Sequence, residues 1–353
     1  MFDKDVKRRF LKNKTGVFSL AFIILCTLIA FFSYTISPDN SVNGNRQILE
    51  HSGKKAGYSS YCLEIEMNKE ESMWSWLVGD KNRYSYIPLQ SESSVATTAD
   101  GYIATDVNGK THAFQSSDFE GGVESHIVKT TYLLGSDDLG RDILSRLFIG
   151  TRISLSVGLL AVSISLVIGI SLGAIAGYFG GKVDDIIMLL INTVWSIPTL
   201  LLVFAIIIVV DRGFFPICLA VGLTMWVDVA RIVRGQVIQY RNIAFVEATK
   251  SFGFSDSRII IKHILPNILG PILVIASANF SAAILIEAGL SYLGFGVNPP
   301  TPSWGKILEE NYSKLLFGSN PMIALSPALA IMLLVLAFNL IGNALRDAFD
   351  VKL

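Results

Sequence analysis

The chain has 353 residues, 51% hydrophobic and 16% charged, with a mean hydropathy of +0.51. Soluble domains carry about a quarter charged residues, so this composition excludes an ordinary soluble fold and points to lipid contact. Lys and Arg number 29, as do Asp and Glu, and this balance gives no sign of a nucleic-acid partner.

A membrane-spanning helix needs about 20 mainly apolar residues, with every backbone group paired inside the segment. Six stretches qualify, at about 15–37, 153–178, 185–210, 214–232, 268–290 and 322–345. The first is too long, and too well followed by structured sequence, to be a cleaved signal peptide. The expected fold is an all-α polytopic membrane protein with six transmembrane helices. A small β or irregular extracytoplasmic insert separates the first two. The domains read as 1–37 (cytoplasmic N-terminus and helix 1), 38–134 (insert) and 135–353 (transmembrane domain with a cytoplasmic loop at 236–267).

Orientation follows from short-loop basic residues. Lys4, Lys7, Arg8, Arg9, Lys12 and Lys14 precede the first span, and Arg231, Arg234, Arg241, Lys250, Arg258 and Lys262 follow the fourth. Both regions then face the cytoplasm, and six spans bring both termini there.

In the insert, Asn108-Gly109 between 102–107 and 110–114 predicts a type I′ hairpin with positive φ at both central residues. Residues 83–90 read as another strand. His51, His112 and His126 lack metal-ligand spacing and read as solvated. Cys26, Cys62 and Cys218 lie too far apart in sequence to suggest a disulfide or CxxC site, and no metal site is expected. The role of the insert stays open between contact with a delivery protein and a lineage-specific ornament.

Asp137, Asp138, Arg141, Asp142 and Arg146 crowd the outer end of the second span and read as mutual ion pairs that shape the helix entry. Gly169, Gly173 and Gly177 recur every fourth residue, a row that lets another helix of the chain approach closely. Pro198 and Pro271 predict kinks in the third and fifth spans. Arg231 and Arg234 read as solvated or lipid-facing anchors. Glu287 lies late in the fifth span. A mid-bilayer charge costs about 3 kcal/mol, so it should face protein or water.

The polar stretch Asn242–Asn267 is the most informative segment. Asn242 is placed to cap a short helix running through Lys250, and Gly253 suits the left-handed residue that ends it. Ser255 is placed to cap a second helix with Asp256 in its first turn, and Pro266 to break the chain before the fifth span. Arg258 and Lys262 share one face. Ile260, Ile261 and Ile264 form an apolar face that must bury against something.

In this stretch Glu247, Ala248 and Thr249, then Gly253, then Leu265-Pro266 resemble the motif of permease subunits of bacterial ABC importers. Thr249 replaces an alanine of that motif, and His263 stands where the general pattern has Ile. Lys262-His263-Ile264-Leu265-Pro266-Asn267 resembles the peptide/nickel branch. Residues 134–146, 226–235, 287–296, 302–305 and 345–350 resemble its second permease subunit, in order. The insert lies outside this similarity.

The resemblance implies a permease in the bacterial inner membrane that forms half of a translocation path with a second, homologous permease. Two cytoplasmic ATPases holding ATP and Mg²⁺ and an extracytoplasmic solute-binding protein complete the machine. It assigns ATPase coupling to Glu247, Ala248, Thr249, Gly253, Phe254, Ser255, Leu265 and Pro266. Asn279 and Glu287 are left between lining the path and contacting the partner permease. The chain has no GxxxxGK[ST] phosphate loop, so no catalytic residue or cofactor is expected in it. Cargo reads as di- or oligopeptides, with nickel or another small solute as the alternative. An ion-gradient transporter is a distant rival; it calls for acidic residues in mid-span. A membrane hydrolase needs a Ser–His pair or metal ligands within spans, and the one histidine outside the insert is His263.

Overall fold

The computed structural model describes residues 4–67, 74–80, 84–98, 101–119, 121–317 and 320–349. Helices α1 (Lys4–Lys12), α2 (Lys14–Phe31) and α3 (Ser33–Ile36) lead to strand β1 (Tyr58–Glu66), helix α4 (Ser75–Val78), and strands β2 (Tyr84–Leu89), β3 (Val95–Thr98), β4 (Gly101–Thr105), β5 (Thr111–Gln115) and β6 (Ile127–Tyr132). Then come α5 (Ile143–Phe179), α6 (Gly181–Trp195), α7 (Thr199–Val210), α8 (Phe214–Arg241), α9 (Ala244–Ser251), α10 (Asp256–Ile259), α11 (Leu269–Tyr292), α12 (Trp304–Asn311), α13 (Ser313–Phe317) and α14 (Met322–Phe349). Of the expected strand at 83–90, Arg83 lies outside the described residues, as does Asp350 of the 345–350 motif.

Among the described residues five helical segments are long and apolar enough to cross a membrane: Lys14–Phe31, Ile143–Phe179, Phe214–Arg241, Asp256–Tyr292 and Met322–Phe349. The expected third span is not one helix. It is α6 and α7, bent by 88°, with 15 and 12 residues. At 1.5 Å per residue these reach about 22 and 18 Å, each short of a hydrocarbon core of about 30 Å. Pro198 stands at the break because it has no N–H to donate and pushes the preceding residue out of the helical region. Pro271 makes no such break. It lies in the first turn of α11, where its N–H would lack an intrahelical partner anyway.

The chain divides into two compact units. The first holds the described residues within 1–27, 154–298 and 330–353. There the glycine row of α5 is a seam against α8. A Cβ on Gly169, Gly173 or Gly177 would lie 2.7 Å from the Trp226 carbonyl oxygen, 2.5 Å from that of Ala230 and 2.8 Å from that of Arg234. Gly222 answers from α8, where a Cβ would lie 3.0 Å from the Ala161 carbonyl oxygen. The close approach is therefore intramolecular. Arg231 and Arg234 are not free anchors. Arg234 grips Asp184 with Nε and Nη2 at 2.5 and 2.6 Å, and the Arg231 guanidinium lies 4.3 Å from the Trp195 ring centre. Both tie α8 to α6 through planar guanidinium geometry that lysine lacks.

The second unit, within 28–153 and 299–329, contains two three-stranded antiparallel sheets, β2-β1-β6 and β3-β4-β5. Leu63, Leu89, Ala104, Phe119 and Val123 form its core, with the Phe119 ring against Tyr102, Phe114 and His126. The β4–β5 turn differs from the expected type I′. Only Gly109 has positive φ. The Gly109 amide bonds back to the Asp106 carbonyl at 3.0 Å, and Asp106 Oδ1 accepts from the Asn108 and Lys110 amides. That is a type I turn followed by a left-handed glycine, stabilised by an aspartate side chain that mimics a backbone acceptor. All three cysteines are free and buried.

Arg141, Arg146 and Asp137 of the charged cluster form a connected lattice, whereas Asp138 pairs separately and Asp142 bonds Ser145 rather than a cation. Arg141 Nε donates to Asp137 at 2.6 Å. Arg141 Nη2 and Arg146 Nη2 meet Glu310 Oε2 at 2.9 and 3.1 Å, and Lys314 pairs with Asp138 at 2.8 Å. Glu310, from α12, completes it.

The histidines are not simply solvated. His112 bonds Asp106 at 3.1 Å. His51 is buried, with Nδ1 3.0 Å from the Tyr132 hydroxyl. Burial, and secondarily Lys54, pull the His51 pKa down to about 4. Its folded value lies below the ordinary value of about 6.5, so the unfolded chain takes up the proton first. The stabilisation is whole above pH 6.5 and is lost as pH falls from 6.5 to about 4, an effect on the order of 3 kcal/mol. Unfolding followed against pH should steepen in that window, and His51→Gln should flatten it.

Candidate functional site

Helix α8 delivers the chain to the loop at a fixed point. Arg241 Nη1 donates to the carbonyls of Gly177 and Tyr178 at 3.0 and 3.3 Å, a cation placed on the C-terminal end of α5. Asn242 does not cap α9. It closes α8 with φ −97°, and extended Ile243 takes the N-cap position without a side-chain bond.

Within α9, Val246 and Thr249 are buried, while Glu247, Ala248 and Lys250 are exposed. The Lys250 ammonium lies 4.9 Å from the Tyr178 ring centre. The helix ends in a Schellman arrangement. Gly253, at φ +76°, sends its amide to the Lys250 carbonyl at 2.9 Å, and the Phe254 amide reaches the Thr249 carbonyl at 3.2 Å. Both bonds satisfy carbonyls that the helix end would leave open.

Ser255 is extended and precedes α10 but makes no capping bond with its side chain. Asp256 instead accepts from the Tyr178 hydroxyl at 2.6 Å. Pro266 does not break the chain. Residues Ile260–Ile264 widen to a π turn in which the Leu265 amide bonds the Ile260 carbonyl, and Leu265–Ile268 tighten to a 3-10 turn. The widening relieves the clash a proline ring makes with the carbonyl four residues back. Helical structure therefore runs on into α11.

The expected isoleucine face is divided. Ile259, Ile264 and Ile268 are buried with Val229, Val233, Val237, Val246, Ala174 and Tyr178. At about 1.5–3 kcal/mol for each buried side chain, they fasten the loop to α5 and α8. Ile261 is 61% exposed and takes no part. Arg258 and His263 both engage Phe254, the guanidinium 4.2 Å from its ring centre and the imidazole stacked at 5.8 Å and 16°. Phe254 and Leu265 are half-buried, and Ser255 and Pro266 are exposed.

What remains outward is a stripe that the motif alone did not single out. Phe245, Ala248 and Phe252 recur at helical spacing, with Phe252 79% exposed and Phe245 41%. Two aromatic rings flank a small residue, with Glu247 beside them. The signal was available in the sequence: once Val246 and Thr249 point inward, positions 245, 248 and 252 line up as one stripe along the flank of that face. A surface of this kind offers a pocket bordered by large apolar anchors to a protein partner.

Asn279 and Glu287 are not brought to this stripe. About 20 Å of helix separates Pro266 from Asn279. Asn279 is buried, with Nδ2 3.5 Å from the Met225 carbonyl oxygen. Glu287 is buried and accepts from the Ser291 hydroxyl at 2.8 Å, so this charge in a span faces protein. Among the described residues no group of three His, Cys, Asp or Glu is placed to hold a metal ion.

Two family models match the sequence. One, described as binding-protein-dependent transport system inner membrane component, covers residues 169–353. The other, the N-terminal TM domain of oligopeptide transport permease C, covers residues 2–50. The chain is 42% identical over 219 residues to the oligopeptide transport system permease protein OppC of Bacillus subtilis (strain 168), spanning 62% of this chain and 71% of that one. It is 40% identical over 224 residues to the glutathione transport system permease protein GsiD of Pectobacterium atrosepticum, spanning 64% and 74%. It is 42% identical over 219 residues to the dipeptide transport system permease protein DppC of Bacillus subtilis (strain 168), spanning 62% and 68%.

Proposed function

Because this chain belongs to the family of binding-protein-dependent transport system inner membrane components, we propose that it imports peptides and takes its drive from a cytoplasmic ATPase seated on residues 242–267. The observation that carries the reading is the exposed Phe245–Ala248–Phe252 stripe, on a loop closed by Gly253 and fastened to α8 by a buried isoleucine core. A partner that moves this stripe moves α8 and α11 with it, because the core between them is packed and shifts as a body.

In this reading Glu247 meets the ATPase surface, Thr249 holds α9 against the membrane domain, and the Leu265-Pro266 turn sets the angle at which α11 leaves. A homologous second permease supplies the other half of the path. Two ATPases bind ATP and Mg²⁺, and a solute-binding protein delivers cargo from outside. Counting the bent α6–α7 pair as a sixth span, together with the basic residues of the short loops, supports a reading in which both termini are cytoplasmic. Peptide is the cargo because the relatives are named for oligopeptides, dipeptides and glutathione; those names favour neither nickel nor an ion-gradient mechanism.

The test is reconstitution. The permease should co-purify with an ATPase, and in proteoliposomes peptide-loaded binding protein should stimulate both ATP hydrolysis and peptide uptake. A complete, active complex that contains no ATPase would overturn the reading.

A further inference from the structure

The second unit holds a cavity of about 530 Å³, within the range of small-molecule sites. Tyr34, Trp76, Tyr84 and Tyr86 supply aromatic wall. Four carboxylates, Asp39, Glu64, Asp80 and Asp142, line it against two cations, Arg46 and Lys129. Most of these charges are engaged with the protein itself. Asp39 accepts from the Ser41 and Arg46 amides and pairs with Arg46 Nε at 3.5 Å. The Arg46 guanidinium lies 4.1 Å from the Tyr86 ring centre, and the Tyr86 hydroxyl donates to Glu64 at 2.5 Å. Asp80 accepts from Asn40 at 2.7 Å.

Asp142 differs. Its Oδ2 takes the Ser145 amide and hydroxyl at 2.9 and 2.5 Å, and the Leu144 amide faces the carboxyl group. Its Oδ1 has no hydrogen-bond partner among the described residues, although the residue is only 6% exposed. Ser37, also lining the cavity and 8% exposed, has a hydroxyl in the same condition. Arg141 and Arg146, the nearest basic residues in sequence, are committed to Glu310. A buried carboxylate oxygen without a donor is costly, and an entering cation that donates hydrogen bonds removes that cost.

We propose that this cavity binds a small solute bearing an ammonium group, which docks on Asp142 Oδ1 with Ser37 Oγ as a second acceptor, its apolar body resting on Tyr34, Trp76 and Tyr86. The excess of carboxylates in the lining favours a cation over an anion, and the aromatic wall adds cation–π attraction. Burial pushes the Asp142 carboxyl above its ordinary value, against the opposing Ser145 bonds, and a bound cation offsets that burial. The lining residues from Glu64 to Tyr132 fall between the two family-matched segments and within the insert, whereas Asp142 lies in the stretch 134–146 that resembles the family. A free peptide N-terminus is one such ammonium; choosing a dipeptide as probe rests on the peptide-import reading, whereas the site does not.

Calorimetric titration of the purified permease complex, without binding protein or nucleotide, tests this. Ala-Phe and phenethylamine should both bind saturably, and N-acetyl-Ala-Phe, which lacks the ammonium, should bind about tenfold or more weakly. Asp142→Asn should weaken Ala-Phe by a similar factor. Because Asp142 also holds Ser145, Thr35→Trp at an exposed lining position gives an independent block and should abolish binding with Asp142 intact. Equal binding of the acetylated peptide, or Ala-Phe binding untouched by both variants, overturns the proposal. So does failure of both amines to bind while the variants weaken docking of the binding protein, which would make the cavity a protein contact. Loss of peptide uptake by the complete transporter bears on the import reading, and this titration stands apart from it.

Discussion

Gly253→Val is expected to leave the protein in the membrane at normal abundance and to cut ATP-driven uptake by about tenfold or more. Gly253 sits at φ +76°, and a Cβ built there meets nothing within 4 Å. The substitution therefore acts through the backbone and not through a clash. A β-branched residue is a strong outlier in the left-handed region, where even unbranched L-residues lose about 1–2 kcal/mol. The chain relieves that strain by giving up the Gly253 and Phe254 amide bonds, and α9 then swings relative to α10. Gly253→Asn should keep most of the activity, since asparagine tolerates this conformation, and Gly253→Ala should fall between. Uptake and stimulated ATP hydrolysis in proteoliposomes measure all three. Full transport by the valine variant would remove the loop from the coupling mechanism.

Glu310→Ala is expected to destabilise the second unit by about 3–5 kcal/mol. One carboxylate oxygen serves two guanidinium groups, those of Arg141 and Arg146, and the Arg146 side chain is 1% exposed. Removing it leaves two buried cations sharing Asp137 alone, at 2.6 and 3.8 Å. Breaking one side of a buried pair costs more than the pair contributes, because the survivor has no water to turn to. The double variant Glu310→Leu/Arg146→Met should accordingly recover part of the loss. Denaturant unfolding decides the matter, and a Glu310→Ala loss below about 1 kcal/mol, the range of an exposed pair, would show that the lattice is not stabilising.

What the sequence made legible were the features set by local rules. The apolar runs announce themselves by length, and Gly253 by a backbone angle that few other residues accept. The glycine row of α5 announces a close helix neighbour, and Gly222 shows that the neighbour is α8. The features that stayed hidden depend on distant partners. Glu310 lies 164 residues from Arg146 in the chain, so the cluster at 137–146 looked self-contained. His51 looked solvated because its burial depends on Tyr132, 81 residues on. The bend at Pro198 was visible as a proline but not as an 88° turn, since composition counts apolar residues without asking where each half points. Pro266 misled in the opposite direction: the π turn before it absorbs the ring, and that adjustment has no sequence signature of its own. Asn242 misled for a simpler reason, since a residue fit to begin α9 is already occupied in ending α8.

An ATPase seated on the outward stripe of α9 comes within reach of a photocross-linker at Phe252. With a photoreactive residue at Phe252 in the assembled transporter, an adduct with the ATPase subunit should form, and none should form from the buried position Ile264. Cross-links from Phe252 that reach only lipid, in a transporter that remains active, would contradict this seating.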